Sequence, residues 1–377
     1  MQLMNVGIYP YCDEFKPFLR HMLLLNSSFQ LKALIAPAGW GLTGQTIITG
    51  TGNKGWTVIS EFESVIHSID TIFIPEFHVA KDVETLIIRE IEPIIPHLKR
   101  IICAASLNKQ NETILQTICM QAGCILDDLN LLRTTADYSL VCPSEKNPPL
   151  KRIDVPVVAV AGLWEEMDKF EVSLVLREIF IENGYRVTQI GSRNCCEIFG
   201  FHSFPSFMVD STVDAADKVF YLNQWICLLK DTERPDVILL TVPGAIQNYN
   251  ERFTNGFGIL PHVVFQAIMA DFLIFCTMYD FNSIQFLQEI STMCRYRFGC
   301  EIDCYHMSNL YFDINESEEQ GKVIVNRINR EIVSQTLEEN FKDSQIPIIN
   351  ILEQSSRDKL FGLLLGKLSG EDFQIVL

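Results

Sequence analysis

Val155-Pro156-Val157-Val158-Ala159-Val160-Ala161-Gly162-Leu163-Trp164-Glu165-Glu166-Met167-Asp168-Lys169-Phe170-Glu171 decides the fold of the second half of this chain. The apolar, valine-rich run Val155–Ala161 has the composition of a strand buried on both faces. After a short loop the periodicity changes. Val172, Val175, Leu176, Ile179 and Phe180 recur at i, i+3, i+4, i+7 and i+8, one buried face of a helix. Asp168 stands as its N-cap, and Glu171 three residues later would complete a capping box. Asn183-Gly184 supplies the stop, and Tyr185–Ile190 reads as the next strand. A strand, a helix and a second strand in this order form a βαβ unit with a parallel sheet.

A glycine ending the strand and a lysine opening the helix are the marks of a phosphate-binding P-loop. In a working loop of that kind backbone N–H groups wrap the phosphates, the lysine neutralises them and a following hydroxyl holds Mg²⁺. Gly162 and Lys169 occupy the first two roles, but the lysine comes one position late. Asp168 stands where the second glycine belongs, and Phe170 replaces the hydroxyl. Glu165, Glu166 and Asp168 surround one lysine, so the loop is net negative. Like charges about 4 Å apart repel by roughly 1 kcal/mol in water and several-fold more in a dry site. The sequence therefore predicts weak nucleotide binding. Two readings stay open: a P-loop descendant remodelled for a cation, a cationic group or a metal-bridged phosphate, or a loop whose acidic residues only cap a helix.

Outward from this unit, Gly191-Ser192-Arg193-Asn194-Cys195-Cys196 and Phe199-Gly200-Phe201-His202-Ser203-Phe204-Pro205 follow the second strand. Val237–Val242 is a further strand ending in Pro243-Gly244, and Asn255-Gly256-Phe257-Gly258 comes later. A hydrolytic site would carry a metal-binding aspartate at the end of Val237–Val242. None is there, and Asp236 lies at the strand's start. Ligands of open α/β sheets bind beyond the C-terminal strand ends. Gly162, Lys169, Arg193, His202 and Gly244 are therefore expected to share one binding cleft, serving as cofactor contacts if a nucleotide with Mg²⁺ is bound. If Glu165 and Glu166 also line it, the mixture of charges suits a peptide or other zwitterion better than a bare phosphate. The plain alternative is that Arg193 pairs with Glu165 or Glu166 and closes a vestigial pocket. Phe272–Thr277 and Ile346–Ile351 read as strands. Helices are expected at Pro261–Met269, Ser283–Tyr296 and Arg357–Leu368.

The first half alternates in the same way. Strands are expected at Val6–Tyr9, Leu31–Ala36, Thr71–Pro75 and Arg100–Ala105, with helices at Phe15–Leu25, Asp82–Ile94 and Asn111–Gln121. Tyr9-Pro10-Tyr11-Cys12 stands where a dinucleotide fingerprint would follow the first strand, which argues against a nicotinamide cofactor. Three prolines among polar residues, Pro143 to Pro149, mark a linker. The expected organisation is α/β: two Rossmann-like three-layer α/β/α domains, the second P-loop NTPase-like with a mostly parallel sheet. The boundaries are 1–142, a linker at 143–154, and 155–377.

With 377 residues, two cores are the natural expectation. A formal charge of −17 argues against nucleic acid and against an anionic membrane surface, and favours a cationic partner. No apolar stretch reaches the roughly 18 residues of a membrane helix. The N-terminus shows no signal-type pattern, so the chain is expected in the cytoplasm with its twelve cysteines reduced. Cys300, Cys304 and His306 would share one strand face. Two pleat repeats separate the two cysteines by about 13 Å, so no metal is assigned there. A homo-oligomer is compatible with the sequence.

Five segments carry a family resemblance: Val157–Gly162, Asp168–Glu171, Ile190–Asn194, Phe199–Pro205 and, with Pro243-Gly244, Thr254–Pro261. Through them the second half resembles the clostridial peptide maturation system protein family, whose members accompany radical-SAM maturases and small precursor peptides. The resemblance covers roughly half of the chain, with a similarly placed N-terminal domain, and implies a role beside peptide-modifying enzymes without supplying a reaction. Two functional classes follow. One is a non-hydrolytic accessory protein of ribosomal peptide maturation, binding a precursor peptide, an enzyme partner or a nucleotide through a degenerate P-loop domain. The other is an active P-loop NTPase of the metallochaperone-like class. If the protein is an enzyme, it is an NTP hydrolase. An oxidoreductase fits least.

Overall fold

Strands that are apolar on both faces need helices above and below them, and both halves of this chain are built that way. The computed structural model describes residues 3–48, 55–77, 81–131, 149–165, 167–279, 283–321 and 323–369. They pack as two units. The first comprises the described residues of Met1–Tyr138 together with Arg193–Ser206, and the second those of Ser139–Ser192 and Phe207–Leu377.

In the first unit, β1 (Met4–Ile8), β2 (Phe29–Ile35), β3 (Thr46–Ile48), β4 (Gly55–Ile59), β5 (Thr71–Ile74), β6 (Arg100–Cys103) and β7 (Ile125–Asp128) form one sheet. Its order is β3-β4-β2-β1-β5-β6-β7, with every pair parallel except β3 against β4. The helices are α1 (Lys16–Arg20), α2 (Lys81–Ile91) and α3 (Lys109–Ala122). Asn108 caps α3 by accepting from the backbone N–H of Gln110 and Asn111, and Gly123 ends it in the left-handed conformation. The helix expected at Phe15–Leu25 is instead a 3-10 turn, the five-residue α1 and a second 3-10 turn. Pro17 sits in the first turn of α1 and His21 leaves helical dihedrals, so the helix stops there although Phe15, Phe18 and Leu19 are buried as their spacing predicts. Tyr9 and Tyr11, both fully buried, fill the turn after β1. The Tyr9 hydroxyl donates to Glu90, and Tyr11 N donates to the Ile35 carbonyl at 2.7 Å.

The second unit contains β8 (Val157–Gly162), α4 (Lys169–Glu182) and β9 (Val187–Gly191), the βαβ unit expected from the sequence. The two-residue strand β10 (His202–Ser203) lies in the segment assigned to the first unit. Then follow α5 (Ala215–Glu233), β11 (Val237–Thr241), α6 (Ile259–Ala267), β12 (Phe272–Thr277), α7 (Ile284–Phe298) and β13 (Cys304–Met307). β14 (Leu310–Phe312) pairs antiparallel with β15 (Val325–Arg327) around α8 (Ile314–Gln320), and α9 (Arg330–Asn340), β16 (Ile348–Ile349) and α10 (Gln354–Leu368) complete the unit. Six strands run parallel in the order β9-β11-β8-β12-β13-β16. Every residue of β8, β11 and β12 is buried. Chain order reverses around β8, so the crevice beyond its C-terminal end is where such a sheet binds ligands.

The continuous second domain expected from residue 155 onward needs correction. Arg193–Ser206 packs with the first unit because its apolar side chains find their partners there. Phe199 meets Phe18 edge-to-face at 5.0 Å, Asn26 N donates to the Ile198 carbonyl at 3.0 Å, and Asn194 N donates to Glu76 Oε1 at 2.7 Å. Of the expected linker, residues 143–148 lie outside the described residues. Its last part is fastened to the second unit: Lys151 N donates to Asn223 Oδ1 at 2.8 Å, and Lys230 pairs with Asp154 at 2.8 Å. No helix among the described residues is long and apolar enough to cross a membrane.

Candidate functional site

The loop after β8 lies between two central strands. Gly162 pairs with Cys276 of β12, Leu163 N donates to the Cys276 carbonyl at 3.1 Å, and Ile246 N donates to the Gly162 carbonyl at 3.3 Å. A Cβ on Gly162 would come within 3.1 Å of Lys169 Cδ, so this glycine is the floor on which the lysine stem lies. Lys169, buried at the first position of α4, donates from Nζ to the carbonyl of Gly244 in the turn after β11. Gly162, Lys169 and Gly244 thus come together as expected. In this arrangement the ammonium ties two loops of the protein to each other.

Asp168 does not form the expected capping box. It occupies the N-cap position with φ 54° and makes no side-chain cap hydrogen bond. A left-handed residue turns its side chain away from the first-turn N–H groups. The buried Asp168 carboxylate instead accepts from Ser308 Oγ at 2.5 Å and faces Arg327 at 3.6 Å. Phe170 stands where a P-loop hydroxyl would be, and β11 ends in Thr241, with Val242 following it. Asp236, at the other end of β11, accepts from Arg186 Nη2 at 2.7 Å and Nε at 3.1 Å. That pairing holds its carboxyl well below the usual range.

No family model matches the chain, and no curated protein matches it. Among solved structures, the crystal structure of a DUF1611 family protein from Anabaena variabilis is similar. It is 12% identical, spans 96% of this chain and 99% of its own, and superposes with a TM-score of 0.59. At that identity the likeness concerns the fold alone, and it extends over both units.

Arg193 and His202 belong to the packing of the first unit. Cys196 Sγ donates to the Arg193 carbonyl at 3.0 Å. Burial pushes the thiol of Cys12 up to about 12 and that of Cys195 well above its ordinary value, and nearby Arg193 only partly offsets this. Cys195 and Cys196 are therefore inert small hydrophobes rather than nucleophiles. His202 is half-buried in β10 beside Ser203, whose N and Oγ both donate to Glu197 at 3.0 and 2.6 Å. In the third cluster singled out by the sequence, burial raises Cys300 and Cys304 to about 12. His306 is buried, its Nδ1 accepts from Ile351 N at 3.1 Å, and burial pushes it down to about 4 against the opposing pull of Asp168. Among the described residues, no group of three or more His, Cys, Asp or Glu side chains is arranged to hold a metal ion.

Two features of this face were not legible in the sequence. Trp164 packs against Tyr249 at 4.9 Å, and Tyr249 against Phe312 at 4.0 Å. These rings line a cavity of about 110 Å³ with Glu165, Asn255 and Met278. Asn255, Gly256, Phe257 and Gly258 are four successive residues with positive φ. Arg297 fixes this run by donating to the carbonyls of Ile246 at 2.9 Å and Phe257 at 2.6 Å. The cavity residues come from segments far apart in sequence, so no spacing announces them. The one available signal was Trp164, two positions after Gly162. Glu166 lies outside the described residues.

Proposed function

We propose that the protein is a non-hydrolytic accessory component of a ribosomal peptide maturation system in the cytoplasm. On this reading the second unit keeps the P-loop scaffold and binds a precursor peptide or a peptide-modifying enzyme, such as a radical-SAM maturase, in place of hydrolysing a nucleotide. The observation that carries the non-hydrolytic part is the buried bond from Lys169 to the Gly244 carbonyl, made inside a loop that also holds Glu165 and Asp168. A triphosphate would have to draw the ammonium off that carbonyl. A hydrogen bond from a charged donor is worth roughly 1.5–3 kcal/mol, or about 10- to 100-fold in affinity. The maturation context rests on the sequence resemblance, and the acidic charge of the chain supports a basic peptide over an anionic ligand.

Calorimetry on the full chain tests this reading. MgATP and MgGTP are expected to give no saturable binding below millimolar concentration, while a cognate precursor peptide binds in the micromolar range. Micromolar MgATP binding that Lys169→Ala abolishes would overturn it and establish the NTPase alternative.

A further inference from the structure

The aromatic cavity beside the P-loop-like turn has no role in the loop chemistry described above. Trp164 follows β8, Tyr249 follows β11, Met278 follows β12 and Phe312 lies in β14, so the cavity opens at the C-terminal end of the sheet. Its size excludes most ligands of this fold. Cofactor and drug-sized sites enclose about 300–1,000 Å³, whereas this cavity encloses about 110 Å³. That is room for one side chain, not for a nucleoside.

The walls say which side chain. Trp164 and Phe312 are buried, with their rings 6.4 Å apart, and Tyr249 packs on both. Aromatic ring systems attract cations held within about 6 Å of their faces. Glu165, exposed at the rim, is the sole charged residue among the described residues lining the cavity, and Asn255 adds an amide there. An aromatic box with a single carboxylate is complementary to an aliphatic stem ending in a positive charge. The −17 charge of the whole chain acts in the same direction.

We infer that this cavity is a recognition pocket for a basic side chain, lysine or arginine, presented by an extended peptide segment. The stem packs against Trp164, Met278 and Phe312, and the charged head meets Glu165. The inference deepens the proposed function and rests on it, because it names the kind of residue that the bound peptide must offer.

The test uses the full chain labelled at the methionine methyl groups, with Met278 as the reporter. It is titrated separately with Gly-Gly-Lys-Gly-Gly, Gly-Gly-Arg-Gly-Gly and the norleucine analogue. The basic peptides are expected to shift the Met278 resonance saturably and at least tenfold more tightly than norleucine, with affinity falling as salt rises. Glu165→Gln, at an exposed position, should weaken them about fivefold and leave norleucine unchanged. Norleucine binding as tightly as lysine, or indifference to Glu165→Gln, would make this an apolar pocket and overturn the inference while the peptide-binding reading stands. No saturable shift with any of the three peptides overturns the inference as well. If MgATP then binds with micromolar affinity, the proposed function falls with it.

Discussion

Phe199 is the residue through which the second half of the chain completes the first unit, and Phe199→Ala measures that dependence. Its ring is buried, edge-to-face with Phe18 at 5.0 Å and stacked on Phe201 at 5.8 Å. Phe18 in turn packs on Phe73 and Phe29. Truncating a core phenylalanine to alanine costs about 3–5 kcal/mol, of which roughly 0.5–1.5 belongs to the aromatic pair. For a unit of roughly 150 residues, about 2–4 °C is lost per kcal/mol, so its melting temperature should fall by about 10 °C. Amide hydrogen exchange locates the damage. Protection should drop in β1 and β5 and hold in β8, β11 and β12. A fragment ending at residue 142 lacks the whole segment and should fail to show protected β1 amides. A Phe199→Ala loss below about 1 kcal/mol, or a 1–142 fragment with native-like protection, would refute the reasoning.

Two further outcomes can be checked by equilibrium denaturation. At Gly256 (φ +62°) an added Cβ meets open space, so Gly256→Ala should cost about 1 kcal/mol for the left-handed backbone alone. At Gly258 (φ +70°) the Cβ would overlap the Ile246 carbonyl and crowd Arg297, so Gly258→Ala should cost roughly 3–4 kcal/mol. A similar loss at both positions would contradict that difference. The second outcome concerns His306, pushed by burial from 6.5 down to about 4. Its folded value lies below its unfolded one, so the unfolded chain takes up the proton first as pH falls. The contribution to stability is complete above about pH 6.5 and is lost towards pH 4, to a limit of about 3 kcal/mol. His306→Gln should flatten this part of the pH–stability curve relative to the wild type, and parallel curves for the two proteins would count against it.

What could be read in advance was local. β8, α4 and β9 follow from a buried valine run and an i, i+3, i+4 stripe, both visible within thirty residues, and the parallel order follows from the alternation. α5 also carries such a stripe in Leu222, Trp225, Ile226 and Leu229. It is obscured by the β-branched and aromatic run Val219-Phe220-Tyr221 in its second turn and by Asn223, weak helix formers, of which Asn223 is held by hydrogen bonds to the Lys151 and Ala267 carbonyls. The meeting of Gly162, Lys169 and Gly244 was legible because topology alone places their loops side by side. The conformation of Asp168 was not, since its partners Ser308 and Arg327 lie some 140 residues or more away in sequence. For the same reason Phe199-Gly200-Phe201 could be read as apolar, but not as a plug for a core built by residues 4–74.

The return of Arg193–Ser206 to the first unit also sets the order in which the chain can fold as it is made. A growing N-terminal half usually folds while the rest is still in synthesis. Here synthesis must run about 70 residues past Tyr138 before the piece that covers Phe18 exists. At roughly 5–20 residues per second that is a wait of about 3–14 s. During it the sheet of β1, β2 and β5 displays an uncovered aromatic cluster. Slowing translation between codons 138 and 206 should therefore raise aggregation more than slowing it anywhere beyond.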